Sequence, residues 1–282
     1  PFALLFVVIL TSLGTWGLPQ MISKFYSIKN EDSILKGTII STLFAIIIAG
    51  GCYFLGGFGR LYNIDVAAVG YDKIVPTMLK ALDSDFVIAI VIVLVLSASM
   101  STLASLVLVS SSTLTLDVVV PARKKEFTEK GKVGVMRLFI AFFVVVSAII
   151  AIIKDAFGFT FIAQMMGVSW GALAGAFLAP FLYGLYWKKT GRAAVWTSFV
   201  FGVGLMLLQL IVSLGLITPG GRVLGFIFAS SIRSGAVAML GGMIIVPIVS
   251  LFTKAPDAAL VNEIFTCYDK PVETKAKKSL GV

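Results

Sequence analysis

The chain has 282 residues, 59% of them hydrophobic and only 13% charged, with a net charge of +9 and no histidine. A soluble domain is closer to half apolar and a quarter charged, so this composition, with a mean hydropathy of +1.03, excludes water as the solvent and points to lipid. The lack of imidazole removes the commonest general base and metal ligand, and with it most membrane hydrolases and haem or metal enzymes, so no enzyme is expected.

A helix that crosses a bilayer needs about 20 largely apolar residues. Seven stretches meet this, roughly 2–22, 37–58, 86–116, 133–153, 158–187, 193–217 and 235–253, called spans A to G here. None alternates as a barrel strand would, so the expected fold is an all-α polytopic membrane protein with about seven transmembrane helices.

Span A holds Gly14, Gly17 and Pro19 within a few residues. Glycine costs about 1 kcal/mol and proline about 3 kcal/mol in a helix interior, and in lipid such a break survives only where protein or a water-filled cavity satisfies the backbone. Two readings stand, a simple kink or a discontinuous helix lining a cavity, as transporters use. The chain opens on Pro1 inside an apolar run, which suggests truncation upstream. Between spans B and C, Ile74, Val75, Met78, Leu79 and Leu82 recur at helical spacing and predict a short amphipathic helix over 72–83, either a lid or an edge-packing element.

Span C is the most informative. From Ser97 to Thr115 it carries ten Ser or Thr residues among nineteen. At 100° per residue, Ser97, Ser101, Ser105 and Ser112 fall within an arc of about 80°, flanked by Ala98 and Thr102. Hydroxyls in membrane helices commonly bond the carbonyl four residues back or reach a neighbouring helix. The other reading is an alkali-ion site, because a hard cation takes oxygen ligands and the Ala98 carbonyl, freed of its helical partner, would add one. Asp85 and Asp117 lie only at the ends of this span, so neutral oxygens suit sodium better than a proton relay.

Span E places Gly167, Gly171, Gly175 and Ala179 four residues apart, a ridge of small residues that lets helix backbones approach closely; packing is the expected role. The segment after Phe252 turns polar and ends in Lys275, Lys277 and Lys278, which reads as a surface or disordered tail in reach of anionic lipid. Cys52 and Cys267 imply no disulfide framework. Most of the 23 Lys and Arg residues fall in the A–B, C–D and E–F loops and the tail, among them Arg123, Lys124 and Lys125. Basic residues accumulate on the cytoplasmic side. The expected placement is therefore the plasma membrane, with the N-terminus of this chain outside and its C-terminus cytoplasmic. The same distribution argues against nucleic acid as a partner.

Ser97-Ala98-Ser99-Met100-Ser101-Thr102 followed by Val109 to Asp117, the run Gly14 to Gln20 leading into Lys24-Phe25-Tyr26, and Pro180 through Trp187-Lys188-Lys189-Thr190-Gly191 together resemble the sodium:solute symporter family, its sodium/proline branch in particular. The resemblance covers most of 11–258 in order and spacing. It implies that residues 1–187 form the second inverted five-helix repeat of a LeuT-type fold, that 193–253 add two peripheral helices, and that 254–282 form a cytoplasmic tail. It implies sodium coordination by the hydroxyls of Ser101 and Thr102 and the carbonyl of Ala98, and a substrate pocket beside Trp16 and Gly17. Sodium would be the coupling ion, with no organic cofactor, and the partners a small solute, the bilayer and a missing N-terminal half without which this part does not transport. The function implied is sodium-coupled import of an amino acid, sugar or carboxylate by alternating access. A sodium-independent channel or facilitator, or a non-transporting membrane subunit, are the competing readings.

Overall fold

The computed structural model describes residues 2–25, 28, 31–65, 70–81, 83–123, 127–153 and 162–269. Lys124, Lys125, Tyr26, Lys275, Lys277, Lys278 and the first residues expected for span E lie outside them. In chain order the helices are α1 (Phe2–Ser12), α2 (Pro19–Phe25), α3 (Glu31–Gly57), α4 (Ile74–Lys80), α5 (Asp85–Thr113), α6 (Glu129–Ile153), α7 (Ile162–Tyr186), α8 (Arg192–Ser213), α9 (Arg222–Phe228), α10 (Ser231–Phe252) and α11 (Ala258–Phe265). Six helical stretches are long and apolar enough to cross a membrane, and no strand occurs among the described residues. The protein is therefore an all-α, multi-pass membrane protein. Span A is not among those six stretches: it is divided into α1, a 3-10 turn at Gly14–Gly17, an extended Leu18 and α2, which decides for a discontinuous helix over a kink.

The chain divides into two compact units, residues 1–58 with 161–282 and residues 59–160. In the first, α7, α8 and α10 pack on one another, and the turn of span A lies against α7. The ridge on span E is what permits this. A Cβ on Gly171 would come within 2.6 Å of the Gly235 Cα, one on Gly175 within 2.7 Å of the Ala238 Cβ, and one on Gly202 within 2.6 Å of the Ala176 nitrogen. Lipid tails are as apolar as leucine, so helices associate through such van der Waals contact rather than through hydrophobic burial. Spans F and G thus sit directly on span E instead of standing apart from it.

Two polar devices hold this bundle. Pro247 lies inside α10 and has no N–H for the carbonyl of Met243, four residues back; the Tyr183 hydroxyl of α7 donates to that carbonyl at 2.9 Å in its place. Near the other end of α10, the buried Ser234 hydroxyl lies 2.6 Å from Gln209 Oε1 and 2.9 Å from the Ile227 carbonyl, while Gln209 Nε2 donates to Ser213 Oγ at 3.1 Å. A hydroxyl has one proton to give, so the Ile227 and Gln209 oxygens share it, and in an apolar surround an amide without such partners would be costly.

In the second unit α5 packs on α6, and Val107, Ser111 and, just beyond α5, Thr115 are buried. Ser111 and Thr115 donate to the carbonyls of Val107 and Ser111, each at 2.7 Å. Beyond Thr113 the helix widens into a π turn at Leu114–Val119 and closes with one turn at Val120–Ala122. Pro121 lies in that closing turn; its ring crowds the carbonyl four residues back, and a wider turn relieves the clash. The predicted helix over 72–83 is found as a 3-10 turn, Tyr71–Lys73, running into α4. It packs by edge contact: Met78 is buried, and a Cβ on Gly59 would meet Ile74 Cγ2 at 2.8 Å.

Two short helices depart from expectation. α9 occupies the F–G connection, entered through Gly221 at φ +84, a left-handed conformation glycine adopts without penalty. α11 stands where a surface or disordered tail was expected. Asp257 caps it, accepting from the Ala259 N–H at 3.0 Å, and it rests against the end of α7 through Tyr268, whose hydroxyl donates to the Leu185 carbonyl at 2.9 Å. Desolvation there, with repulsion from Cys267 and Tyr186, raises the Tyr268 hydroxyl above its ordinary pKa.

Candidate ion and solute site

Ala98, Ser101 and Thr102 occupy adjacent turns in the middle of α5, and all three are exposed. The Thr102 hydroxyl donates to the Ala98 carbonyl at 3.0 Å, which brings two of the candidate ligand oxygens into contact. One turn on, Ser105 donates to the Thr102 carbonyl at 2.9 Å and Ser112 to the Val109 carbonyl at 3.0 Å. These are back-bonds of the kind hydroxyls make in apolar helices.

The sequence reading supposed that the Ala98 carbonyl would be freed by loss of its helical partner. α5 instead runs unbroken from Asp85 to Thr113, and its departure from α geometry begins only at Leu114. At this turn the carbonyl accepts from the Thr102 hydroxyl while remaining within the helix. To meet a cation, the Thr102 side chain would rotate from that carbonyl, a single change of χ1 rotamer.

The donor set is chemically apt for a hard monovalent ion. Hydroxyl and carbonyl oxygens are its ligands, and among the described residues no group of three or more His, Cys, Asp or Glu could hold a metal ion. Ala98, Ser101 and Thr102 supply three oxygens, against about six or more taken by calcium, a cation of similar hardness. Three oxygens from one helix would therefore fill only part of such a shell.

Trp16 and Gly17 belong to the other unit. The 3-10 turn carries them, but they face different ways. Gly17 is buried, and a Cβ there would come within 2.8 Å of the Leu178 Cβ and 2.9 Å of the Ala174 Cα. Its lack of a side chain is accounted for by close approach to α7. Trp16, in contrast, is 56% exposed, held out from the bundle by the buried Gly14, Gly17 and Leu18 around it. Sequence reasoning missed the Tyr183–Met243 bond and the Gln209–Ser234–Ser213 network; Pro247 and a glutamine inside an apolar span were the signals that could have found them.

Comparison with known proteins agrees with the family resemblance of the sequence. The sodium:solute symporter family matches residues 1–202. A sodium/pantothenate symporter of Haemophilus influenzae is 26% identical over 198 residues, covering 70% of this chain and 40% of the relative. A sodium/proline symporter of Escherichia coli is 26% identical over 268 residues, covering 90% and 49%. A monocarboxylic acid transporter of Corynebacterium glutamicum is 25% identical over 219 residues, covering 71% and 38%. The chain thus spans half or less of the length of these curated relatives. No solved structure matches it. With the family matched over well more than half of its residues, the chain belongs to the sodium:solute symporter family, a family of transporters and not of enzymes.

Proposed function

We propose that the chain is the C-terminal part of a sodium-coupled secondary active transporter that imports a small organic solute by alternating access. The observation that carries this reading is the meeting of the Thr102 hydroxyl with the Ala98 carbonyl beside Ser101 on an exposed turn of α5, in a chain matched by this family. Sodium enters from outside, displaces the Thr102 hydroxyl from its back-bond, and takes the Ser101, Thr102 and Ala98 oxygens as part of its shell. The remaining ligands come from the N-terminal half, whose broken helix faces α5 in a LeuT-type arrangement. The turn at Gly14–Gly17 presents Trp16 to the solute, while Gly17 fixes that turn on α7.

Sodium binding favours the outward-open state and orders the solute pocket, and coupling follows because both ligands favour the same state. One sodium ion moving down 100 mV releases about 2.3 kcal/mol, and a tenfold gradient adds about 1.4 kcal/mol. One ion therefore suffices to concentrate a scarce solute. Proline, pantothenate and monocarboxylic acids, named for the relatives, each carry a single carboxylate, and a solute with that group is the class we assign. The basic loops and tail support a cytoplasmic C-terminus.

The test is uptake of labelled carboxylates and amino acids into vesicles that contain the full-length transporter, with and without an inward sodium gradient. Sodium-stimulated uptake of one of them, weakened at low sodium by Thr102→Ala, is the expected result. Uptake indifferent to both would assign a channel or facilitator instead.

A further inference from the structure

Part of the apolar face of α11 is left uncovered by the described residues. At 100° per residue, Leu260, Ile264, Val261 and Phe265 share one broad face. Half of that face is used: Val261 and Phe265 are partly buried, Lys188 Nζ lies 5.3 Å over the Phe265 ring and donates to Asn262 Oδ1 at 3.2 Å. The other half is open, with Leu260 54% and Ile264 58% exposed. This open edge begins shortly after the end of α10, where Leu251 is exposed and Phe252 is 86% exposed. Those two residues belong to a membrane-crossing helix, and α11 follows it after a short connection in the sequence. Lys188 and Lys189 precede the next span, Lys254 lies between α10 and α11, and the sequence after α11 adds Lys270, Lys275, Lys277 and Lys278.

We propose that α11 is an interfacial helix: Leu260 and Ile264 are seated in the headgroup–acyl boundary of the leaflet at this end of α10, and Lys188, Lys189 and Lys254 hold anionic lipid headgroups. Three features argue for lipid as the occupant. The edge follows a lipid-facing span after only a short connection in the sequence. The flanking charge is basic, which draws an anionic bilayer. The helix is also amphipathic and short, suited to lying in the boundary plane rather than crossing it. Lys188 then serves twice, bonding Asn262 to keep α11 on the end of α7 and contributing to the basic rim. The seat fixes the depth of α7 and α10 in the bilayer and makes the bundle responsive to the anionic lipid content of its membrane.

The experiment uses the full chain in lipid nanodiscs, in a Cys52→Ser, Cys267→Ser background with one fluorescent label at Ile264→Cys or at Ala259→Cys. These positions lie about 140° apart on the helix. In discs containing phosphatidylglycerol, the label at 264 should be quenched by spin-labelled lipid and should be at least about threefold less accessible to aqueous iodide than the label at 259, as shallow insertion of one face requires. Leu260→Cys should match 264. Discs of phosphatidylcholine alone should raise iodide access at 264. Equal iodide access at 259 and 264 would overturn the proposal. Protection of 264 from iodide without quenching by lipid would also overturn it, since protein would then cover the edge. Indifference to phosphatidylglycerol would overturn the anionic-headgroup part.

Discussion

The bundle of α7, α8 and α10 and the helix α5 are both rich in small residues, yet they meet opposite environments. On α7 the small residues of the ridge are occupied: Gly171 and Gly175 lie against Gly235 and Ala238, with backbones so close that a methyl group would not fit. On α5, the turn from Ser97 to Thr102 is exposed throughout, and only Val107, Ser111 and Thr115 further along are buried. α3 resembles α5 in this respect, since Gly50, Gly51, Gly56 and Gly57 have nothing within 4 Å of where a Cβ would stand. Small residues in a membrane helix exist to let something approach. The lesson is that this chain supplies the partner for one set and leaves the other presented outward, as the proposed sodium site between two halves of a transporter requires.

The comparison can be broken most forcefully at Gly202. Gly202→Val would force α8 off α7 and should cost about 3 kcal/mol, read as loss of the folded, monodisperse chain in detergent thermal unfolding. Gly204→Ala on the same helix, where a Cβ meets nothing within 4 Å, should be neutral or stabilising by up to about 1 kcal/mol. If both changes behaved alike, the close approach of α7 and α8 would be wrong.

On α5 the expectation reverses, with function lost and stability kept. In the full-length transporter, Thr102→Ala should raise the sodium concentration for half-maximal uptake about tenfold, equivalent to about 1.4 kcal/mol, and Ser101→Ala should act similarly. Neither should shift the melting temperature of this chain, because both side chains are exposed. A lowered melting temperature with unchanged sodium dependence would return these hydroxyls to ordinary packing.

A finer test joins α7 to α10. Tyr183→Phe removes the hydroxyl that serves the Met243 carbonyl and should cost about 1 kcal/mol, measured by thermal unfolding. Pro247→Ala restores a backbone donor to that carbonyl, so the cost of Tyr183→Phe should shrink in that background. The smallest effect belongs to Ser110→Ala, on an exposed position of α5 away from the proposed ligands, where sodium dependence should change less than about twofold. An effect as large as that of Thr102→Ala would place the ion elsewhere on the helix.

Much of this was legible in the residues. Apolar length marked the spans, and the spacing of Gly167, Gly171, Gly175 and Ala179 marked a packing ridge, because both follow from periodicity along one helix. Gly14, Gly17 and Pro19 marked the break in span A for the same local reason. What stayed illegible involved a second element. Gly17 was read toward a pocket, whereas its neighbours Ala174 and Leu178 come from a helix more than 150 residues away in the sequence. The Ala98 carbonyl was expected to be free, but nothing local breaks α5 there, and the hydroxyl density alone could not say where the helix would loosen. α11 was missed although Asp257 before an apolar i, i+4 pattern is a start signal; eight residues among polar neighbours are too few for composition to reveal.

The sequence by itself determined the solvent, the all-helical multi-pass architecture, the broken span A and the family, since each rests on composition, length or the order of residues along one segment. Tertiary structure decided which small residues are filled and which are bare, that Tyr183 serves the carbonyl orphaned by Pro247, and that the segment after α10 folds back as a helix on the end of α7. The physical reason is that lipid gives helices no hydrophobic incentive to pair, so partners are chosen by shape and by a few polar bonds, and shape exists only once the helices are side by side.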